Sequence, residues 1–197
     1  MEETQRAFTR RVSGCWDLSY WDRLVKLRLQ SIQRRHERYK AIYIWKILTG
    51  IVPNVGFKFG ENQRFGTTVK IPNIKGPINK YTTIRENSMY VEGGKIFNGL
   101  PKSLRSFRGS KEKFKSHLDA FLEEVPDHPN GYRTQIPDIV DTNCKPTNLI
   151  RDWVKNLNLS EWSSPTLDED LRKMRSKEEM REAATLGDQE LGTGLVQ

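Results

Sequence analysis

The sequence predicts an α+β fold, with an N-terminal helical hairpin, a small irregular antiparallel β region, further short helices and a flexible C-terminal tail. Three observations predict it. Apolar residues recur at helical spacing over residues 19–50 and again over 110–125. Residues 51–100 are rich in glycine and proline and contain short alternating runs, which favour strands. Residues 160–197 hold many charges and few aromatic side chains, which favours a tail outside the core.

The helical hairpin is predicted from its capping residues and its periodicity. Ser19 followed by Asp22 resembles a capping box, and Ser31 can cap a second helix. Gly50 is placed to end that helix, and Pro53 prevents its continuation. The pattern predicts that the second helix packs through one apolar face, formed by Ile32, Tyr39, Ile42, Tyr43 and Ile47 and widened by Trp45 and Leu48.

The β region is predicted from three short runs. Residues 67–71 alternate between polar and apolar side chains, and residues 88–91 do so more weakly. Residues 95–97 follow the Gly93-Gly94 pair. We therefore expect a glycine turn there and a hairpin between the runs on its two sides.

Two later segments have helical patterns. Pro101 suits the first turn of a short helix, and Ser110 can cap the next one. This longer helix is predicted to bury a single apolar face formed by Phe114, Leu118, Phe121 and Leu122. Pro126 and Pro129 end it. Residues 149–157 indicate one more short amphipathic helix.

These patterns divide the chain into four parts. Residues 1–18 are expected to be a flexible entry, and residues 19–125 form the α+β domain. Residues 126–159 are a linker with a short helix. Residues 160–197 are an acidic tail, either disordered or forming a lone polar helix over 168–184, which is marginal without a partner.

The charge of the chain is strongly basic and unevenly placed. The formal net charge is +8, made up of +7 over residues 1–60, +5 over 61–125 and −4 over 126–197. A basic part that precedes an acidic tail is typical of proteins that associate with nucleic acids. The alternative is a soluble protein with a basic surface and no polyanionic partner.

Cations concentrated in the helical hairpin are the candidate nucleic-acid-binding residues. A helix can place several cations along a phosphate backbone, and such contacts are insensitive to base sequence and sensitive to salt. The alternative is an ordinary solvated helix face that Glu37 partly balances. The candidates are Arg23, Lys26, Arg28, Arg34, Arg35, Arg38 and Lys40.

Tryptophan side chains are candidate stacking platforms for unpaired bases. For Trp21 and Trp45 the helical pattern favours a role in the core instead. Trp16 and Trp162 flank weaker patterns, and for them both roles stay open.

Catalytic and metal-binding patterns are not found in the sequence. Cys15 and Cys144 are far apart, which disfavours a disulfide scaffold or a zinc site and favours a reducing compartment. The three histidines lack metal-ligand spacing, and no P-loop or G-x-S-x-G pattern occurs. We therefore expect no catalytic residue, no metal site and no cofactor.

Neither a signal peptide nor an apolar run long enough to span a bilayer is found. The sequence thus predicts an intracellular protein without a membrane partner, and it does not distinguish the nucleus from the cytoplasm. Its oligomeric state is not predicted.

Three sequence blocks occur in an order that resembles a known family. They are FTRRVSGCWDLSYWDRLVKLRLQSIQRRHERYKAIYIWKILTGIVPN at residues 8–54, SMYVEGGKIFNGLPKSLR at 88–105 and FKSHLDAFLEEVPDHP at 114–129. Shorter matches, GY at 131–132 and TNLIRDWV at 147–154, follow them. Together they resemble the region downstream of the reverse transcriptase core in non-LTR (LINE-type, jockey-like) retrotransposon polyproteins. Residues 156–197 do not share the resemblance.

The resemblance implies a fragment of an RNA-directed DNA polymerase whose parent copies RNA at a nicked DNA target. Such polymerases hold two Mg²⁺ ions with paired aspartates, usually in an Ala-Asp-Asp turn, and this chain has no Ala-Asp-Asp. The implied role is an accessory segment whose partners are RNA or single-stranded DNA and the polymerase core of the parent. The alternatives are a structural protein-interaction module that packs on the thumb and palm, and an element remnant without a selected function.

Overall fold

The computed structural model describes residues 2–54, 56–62, 66–71, 84, 88–128 and 149–192, without the side chains of residue 62 and residues 183–192. Over these residues the chain is mostly helical, with one two-stranded antiparallel sheet. The main elements are α1 (Glu2–Arg10), α2 (Tyr20–Lys26), α3 (Ile32–Leu48), β1 (Phe59–Asn62), β2 (Gly66–Val69), α4 (Gly94–Gly99), α5 (Lys102–Arg105), α6 (Lys111–Glu124), α7 (Leu149–Asn156) and α8 (Pro165–Gly192). A π-helical turn (Met89–Gly93) precedes α4, and a 3₁₀ turn (Leu159–Glu161) precedes α8.

The two predicted N-terminal helices are confirmed as α2 and α3. The Ser19 hydroxyl accepts the Asp22 N–H at 3.2 Å and donates to the Asp22 carboxylate at 2.6 Å. Ser31 accepts the Arg34 N–H at 3.0 Å in the same manner. Gly50 has a φ of +74° just beyond α3, which is the conformation that glycine adopts most easily at a helix end. Short-range capping therefore sets both helix starts.

The face of α3 that packs on the core is only partly the one predicted: Ile42, Trp45 and Ile47 are buried as expected, and the two tyrosines are not. Tyr39 is 62% exposed and Tyr43 is 38% exposed, so the tyrosine side of the helix faces solvent. The full set that α3 buries is Arg34, Glu37, Ala41, Ile42, Ile44, Trp45 and Ile47. The tyrosines were wrongly included in the buried face because Arg34 and Glu37 have hydrogen-bond partners inside the protein, which lets a face containing two charges be buried.

The sheet is a single hairpin in which Phe59 lies opposite Val69, and it confirms the strand predicted from residue 67. The prediction of a second hairpin across Gly93-Gly94 was wrong, because both glycines are helical, with φ near −60°. They are needed for close packing: a Cβ on Gly93 would lie 3.0 Å from Ile44 Cδ1. The turn at Met89–Gly93 therefore continues directly into α4.

The core is organised around Trp45, which is fully buried as the sequence predicts. Its ring stacks on Phe114 with centroids 4.5 Å apart, and its indole N–H donates to the Phe107 carbonyl at 2.8 Å. The predicted apolar face of α6 is buried in this core. Its other members come from α3, the segment before β1, strand β2, α4, α5, α7 and α8, among them Ile44, Phe57, Val69, Phe97, Leu104, Ile150, Val154 and Leu167.

The N-terminal stretch, expected to be a flexible entry, contains helix α1, which packs on α2 and α3. The Tyr20 hydroxyl donates to the Glu2 carboxylate, and this carboxylate also accepts the Gln33 N–H at 3.2 Å. Glu2 therefore ties the start of α1 to the N-terminus of α3, where a negative charge is stabilised by the helix dipole.

The helix expected at 168–184 begins earlier, at Pro165, and its first turns have a partner. Leu167 is fully buried in the core, and Asp170 accepts a 2.6 Å hydrogen bond from Lys113 on α6. Residues 129–148 of the predicted linker and residues 193–197 of the predicted tail lie outside the described residues. Among the helices that the structure describes, none has the length and apolar character required to span a bilayer.

Candidate nucleic-acid interface

The seven candidate cations occupy three different environments. Arg23 is in the interior, with no exposed surface. Its guanidinium group donates to the Thr9 hydroxyl at 3.3 Å and to the Leu18 carbonyl. It therefore joins α1 to α2, and its guanidinium does not face solvent, where a phosphate would have to approach.

Arg34 is also in the interior. Its guanidinium donates to the carbonyls of Leu122 and Val125 at the end of α6, and its Nε lies 3.3 Å from the Asp127 carboxylate. Burial lowers the pKa of Arg34, and the Asp127 charge opposes that effect. Asp127 also accepts the Ser31 N–H at 2.7 Å. This cluster closes the end of α6 against the start of α3.

Three candidates on α3 are half-buried and already paired. Bidentate hydrogen bonds to a carboxylate raise the pKa of Arg38. Because these side chains are held by partners within the protein, a phosphate would have to compete with them. The pairs are Arg35 with Gln5 at 2.6 Å, Arg38 with Asp119 at 2.5 and 2.7 Å, and Lys40 with Glu92 at 2.5 Å.

Lys26 and Arg28, at the end of α2, are exposed. Lys26 donates to the Gly14 carbonyl at 2.7 Å, which uses one of the three N–H groups of its ammonium. Arg28 has a φ of +53°, and the Leu29 N–H closes the helix on the Leu24 carbonyl at 2.9 Å. Glycine is the usual residue at that position, so the arginine side chain is retained there at a conformational cost.

Two aromatic side chains on α1 and on the loop before α2 are also exposed. Trp16 is 66% exposed and Phe8 is 67% exposed, although aromatic rings of this size are usually buried. The bond from Lys26 to Gly14 places the ammonium beside the loop that carries Trp16. We call this region the α1–α2 surface, and its exposed members are Phe8, Arg10, Arg11, Trp16, Lys26 and Arg28.

Arg10 and Arg11 were not among the candidates predicted from sequence. Both are exposed at the end of α1, a helix that the sequence pattern did not predict. The signal that could have identified them is their adjacency in the most basic part of the chain, two residues after an aromatic side chain.

Trp162, the other undecided tryptophan, has a packing role. Its ring lies edge-to-face against Phe121 with centroids 5.2 Å apart, and its carbonyl accepts the Ser103 hydroxyl at 2.7 Å. Within the described ranges, no three His, Cys, Asp or Glu side chains come together in a way that could hold a metal ion.

No protein-family model matches this chain, and no curated protein or solved structure matches it. The physical character of the α1–α2 surface is therefore the main guide to function. It combines cations that can neutralise phosphates with an exposed ring on which a base can stack.

Proposed function

We propose that this chain is a nucleic-acid-binding accessory segment, which binds the backbone of RNA or single-stranded DNA through the α1–α2 surface. The single observation that carries the proposal is the 66% exposure of Trp16 on the loop whose Gly14 carbonyl accepts a hydrogen bond from the exposed Lys26. Tryptophan is highly buried on average, so this exposure is unusual, and a cation held on the same loop favours a polyanionic ligand.

The resemblance of residues 8–155 to the region downstream of a non-LTR reverse transcriptase core supports the same proposal. In such a protein the segment would hold template or primer while a separate palm performs polymerisation. The chain itself carries no Ala-Asp-Asp turn, so we assign it no catalytic residue.

Salt-dependent binding tests this function. The full chain should bind a fluorescent oligouridylate, and its affinity should fall steeply between about 50 and 200 mM salt. The salt slope is the steepness with which the logarithm of the affinity falls with the logarithm of the salt concentration. The Lys26→Gln/Arg28→Gln variant should lower this slope by about 1.4, since each lost phosphate contact on a single strand contributes about 0.7. The matched control is Lys155→Gln/Lys177→Gln, which removes the same charge from exposed positions on α7 and α8. Failure of the wild-type chain to bind at low salt would overturn the proposal.

A second candidate is a structural module that docks on the polymerase core of the parent protein. The observation that favours it is the solvent exposure of Tyr39 and Tyr43 along one side of α3. If this side is a docking face, the isolated chain should self-associate at high concentration. Analytical ultracentrifugation and RNA titration of the wild type and of Tyr39→Ser/Tyr43→Ser distinguish the two functions. Under the second function the wild type self-associates, the variant is monomeric and neither binds RNA. Under the first function both are monomeric and both bind RNA.

A further inference from the structure

The β1–β2 hairpin has two faces of different character. Phe59 lies opposite Val69, and the Lys58 carbonyl accepts the Lys70 N–H at 2.7 Å, so the pairing extends by one residue beyond the strands. Since successive side chains in a strand point to opposite faces, Lys58 and Lys70 share the face opposite to Phe59 and Val69.

The inner face covers the core. Val69 is buried, and the Phe57 ring stacks on Tyr90 with centroids 4.4 Å apart. Lys58 and Lys70 are consequently on the outer face, and both side chains are exposed. Packing inside the protein thus forces the two lysines outward together.

The lysine pair is electrostatically uncompensated within the part of the chain that the structure describes. Like charges directly opposite each other on paired strands are destabilising. The lysine ion pairs found among the described residues involve other lysines, and neither the Lys58 nor the Lys70 ammonium has a carboxylate within ion-pair distance there. Gly60 lies two residues beyond Lys58 on the same face, opposite Thr68, and the Lys70 side chain runs diagonally over it: a Cβ at Gly60 would be 2.9 Å from Lys70 Cε. The absence of a side chain at Gly60 therefore leaves the outer face of the hairpin open to the Lys70 side chain.

We propose that Lys58 and Lys70 form a second anion-binding site, which takes the phosphodiester backbone of a single-stranded nucleic acid. A phosphate between the two ammonium groups would replace their mutual repulsion with two charge-assisted hydrogen bonds. The inference rests on the proposed function, since it adds a second contact site for the same class of ligand.

Binding of the fluorescent oligouridylate to the Lys58→Gln/Lys70→Gln variant of the full chain tests the inference. Two lost contacts should reduce the salt slope by about 1.4 and weaken binding by roughly 25-fold at about 0.1 M salt. The Lys155→Gln/Lys177→Gln variant is again the control for charge alone. Circular dichroism should show an intact fold, because the substitutions lie on the outer face and remove a repulsion.

Lysine acetylation of the complex, read by mass spectrometry, gives a second measurement that does not depend on a variant. Lys58 and Lys70 should be protected by bound RNA, while Lys155 stays reactive. If the wild type binds and the hairpin variant behaves like the charge control, the inference is wrong and the proposed function stands. If only the hairpin variant loses affinity, the hairpin site stands and the assignment to the α1–α2 surface is wrong. If the wild type binds no RNA, both are wrong.

Discussion

The Glu37 carboxylate on α3 accepts a 2.8 Å hydrogen bond from the backbone N–H of Leu149, a residue 112 positions later in the sequence. It accepts a second one from the Ile150 N–H, also at 2.8 Å. These N–H groups start helix α7 and have no partner within that helix, and a negative charge at this end is favoured by the helix dipole. A buried side chain of α3 therefore caps α7 and holds it on the core.

Replacing Glu37 with glutamine should lower the free energy of unfolding by about 2–3 kcal/mol, because the amide has one acceptor oxygen where two N–H groups need one each. Urea denaturation measures the change. Glu123→Gln is the matched control, since Glu123 is exposed on α6, and it should stay within about 0.5 kcal/mol of the wild type. Equal stability of the two variants would show that Glu37 does not hold α7.

The stabilisation by Glu37 should also depend on pH. Burial raises the pKa of its carboxyl above the ordinary value of 4.5, and the hydrogen bonds from Ile150, Gln33 and Leu149 oppose that rise. The folded state then binds the proton more tightly than the unfolded state does. The contribution of Glu37 to the free energy of unfolding should therefore decrease as the pH rises from about 4.5 through the raised pKa. Urea titrations of the wild type and Glu37→Gln over this window should show the difference shrinking with pH, and a growing difference would contradict the assignment.

Arg34→Ala should destabilise the protein by about 3–5 kcal/mol, since it leaves the buried Leu122 and Val125 carbonyls without their donor and the Asp127 carboxylate without its cation. Arg11→Ala, at an exposed position, should change stability by less than about 0.5 kcal/mol. Thermal denaturation of both variants measures the contrast. An Arg34 variant that folds normally and binds RNA weakly would show instead that Arg34 contacts the ligand. Binding losses in Arg34 variants therefore need a stability measurement beside them.

The helix starts could be predicted because their causes are local in sequence. Ser19, Ser31 and Ser110 each accept the backbone N–H three residues later, and such a pattern is visible without any knowledge of the fold. The burial of Arg34 and Glu37 could not be predicted in this way. Their backbone partners lie 88 to 113 residues away, so local periodicity wrongly included the tyrosines in the buried face of α3.

The Gly93-Gly94 pair was the other source of a wrong prediction. A pair of glycines permits a turn, and the sequence alone does not reveal that Gly94 instead brings α4 close to Val69, whose Cγ1 would lie 3.2 Å from an added Cβ. Of the candidate cations chosen from charge alone, Lys26 and Arg28 are exposed. The same criterion also selected Arg23, because charge in a sequence does not show which side of a helix is buried.

Arg28→Gly should stabilise the fold and weaken binding of nucleic acid at once. Glycine removes the strain of a left-handed conformation at the end of α2, which is worth about 0.5–1 kcal/mol after its own entropic cost. It also removes one cation from the α1–α2 surface, which should reduce the salt slope by about 0.7. Denaturation and RNA titration of the same preparation measure the two effects. Stabilisation without any loss of affinity would show that Arg28 does not contribute to the binding of nucleic acid.

Trp16→Ala should weaken binding of oligouridylate by about 1–3 kcal/mol, the usual value of one base stacked on an aromatic ring. The salt slope should stay unchanged because no charge is lost, and this separates stacking from the effect of the Lys26 and Arg28 substitutions. Fluorescence anisotropy across a salt series gives both quantities.

Tyr39→Ala is the matched control, since Tyr39 is 62% exposed on a different face. Both substitutions should leave the fold intact, because neither ring is part of the buried core. If Tyr39→Ala weakens binding and Trp16→Ala does not, the stacking platform lies on α3. The exposed tyrosines would then serve RNA binding, and the protein-docking function would lose the observation that favours it.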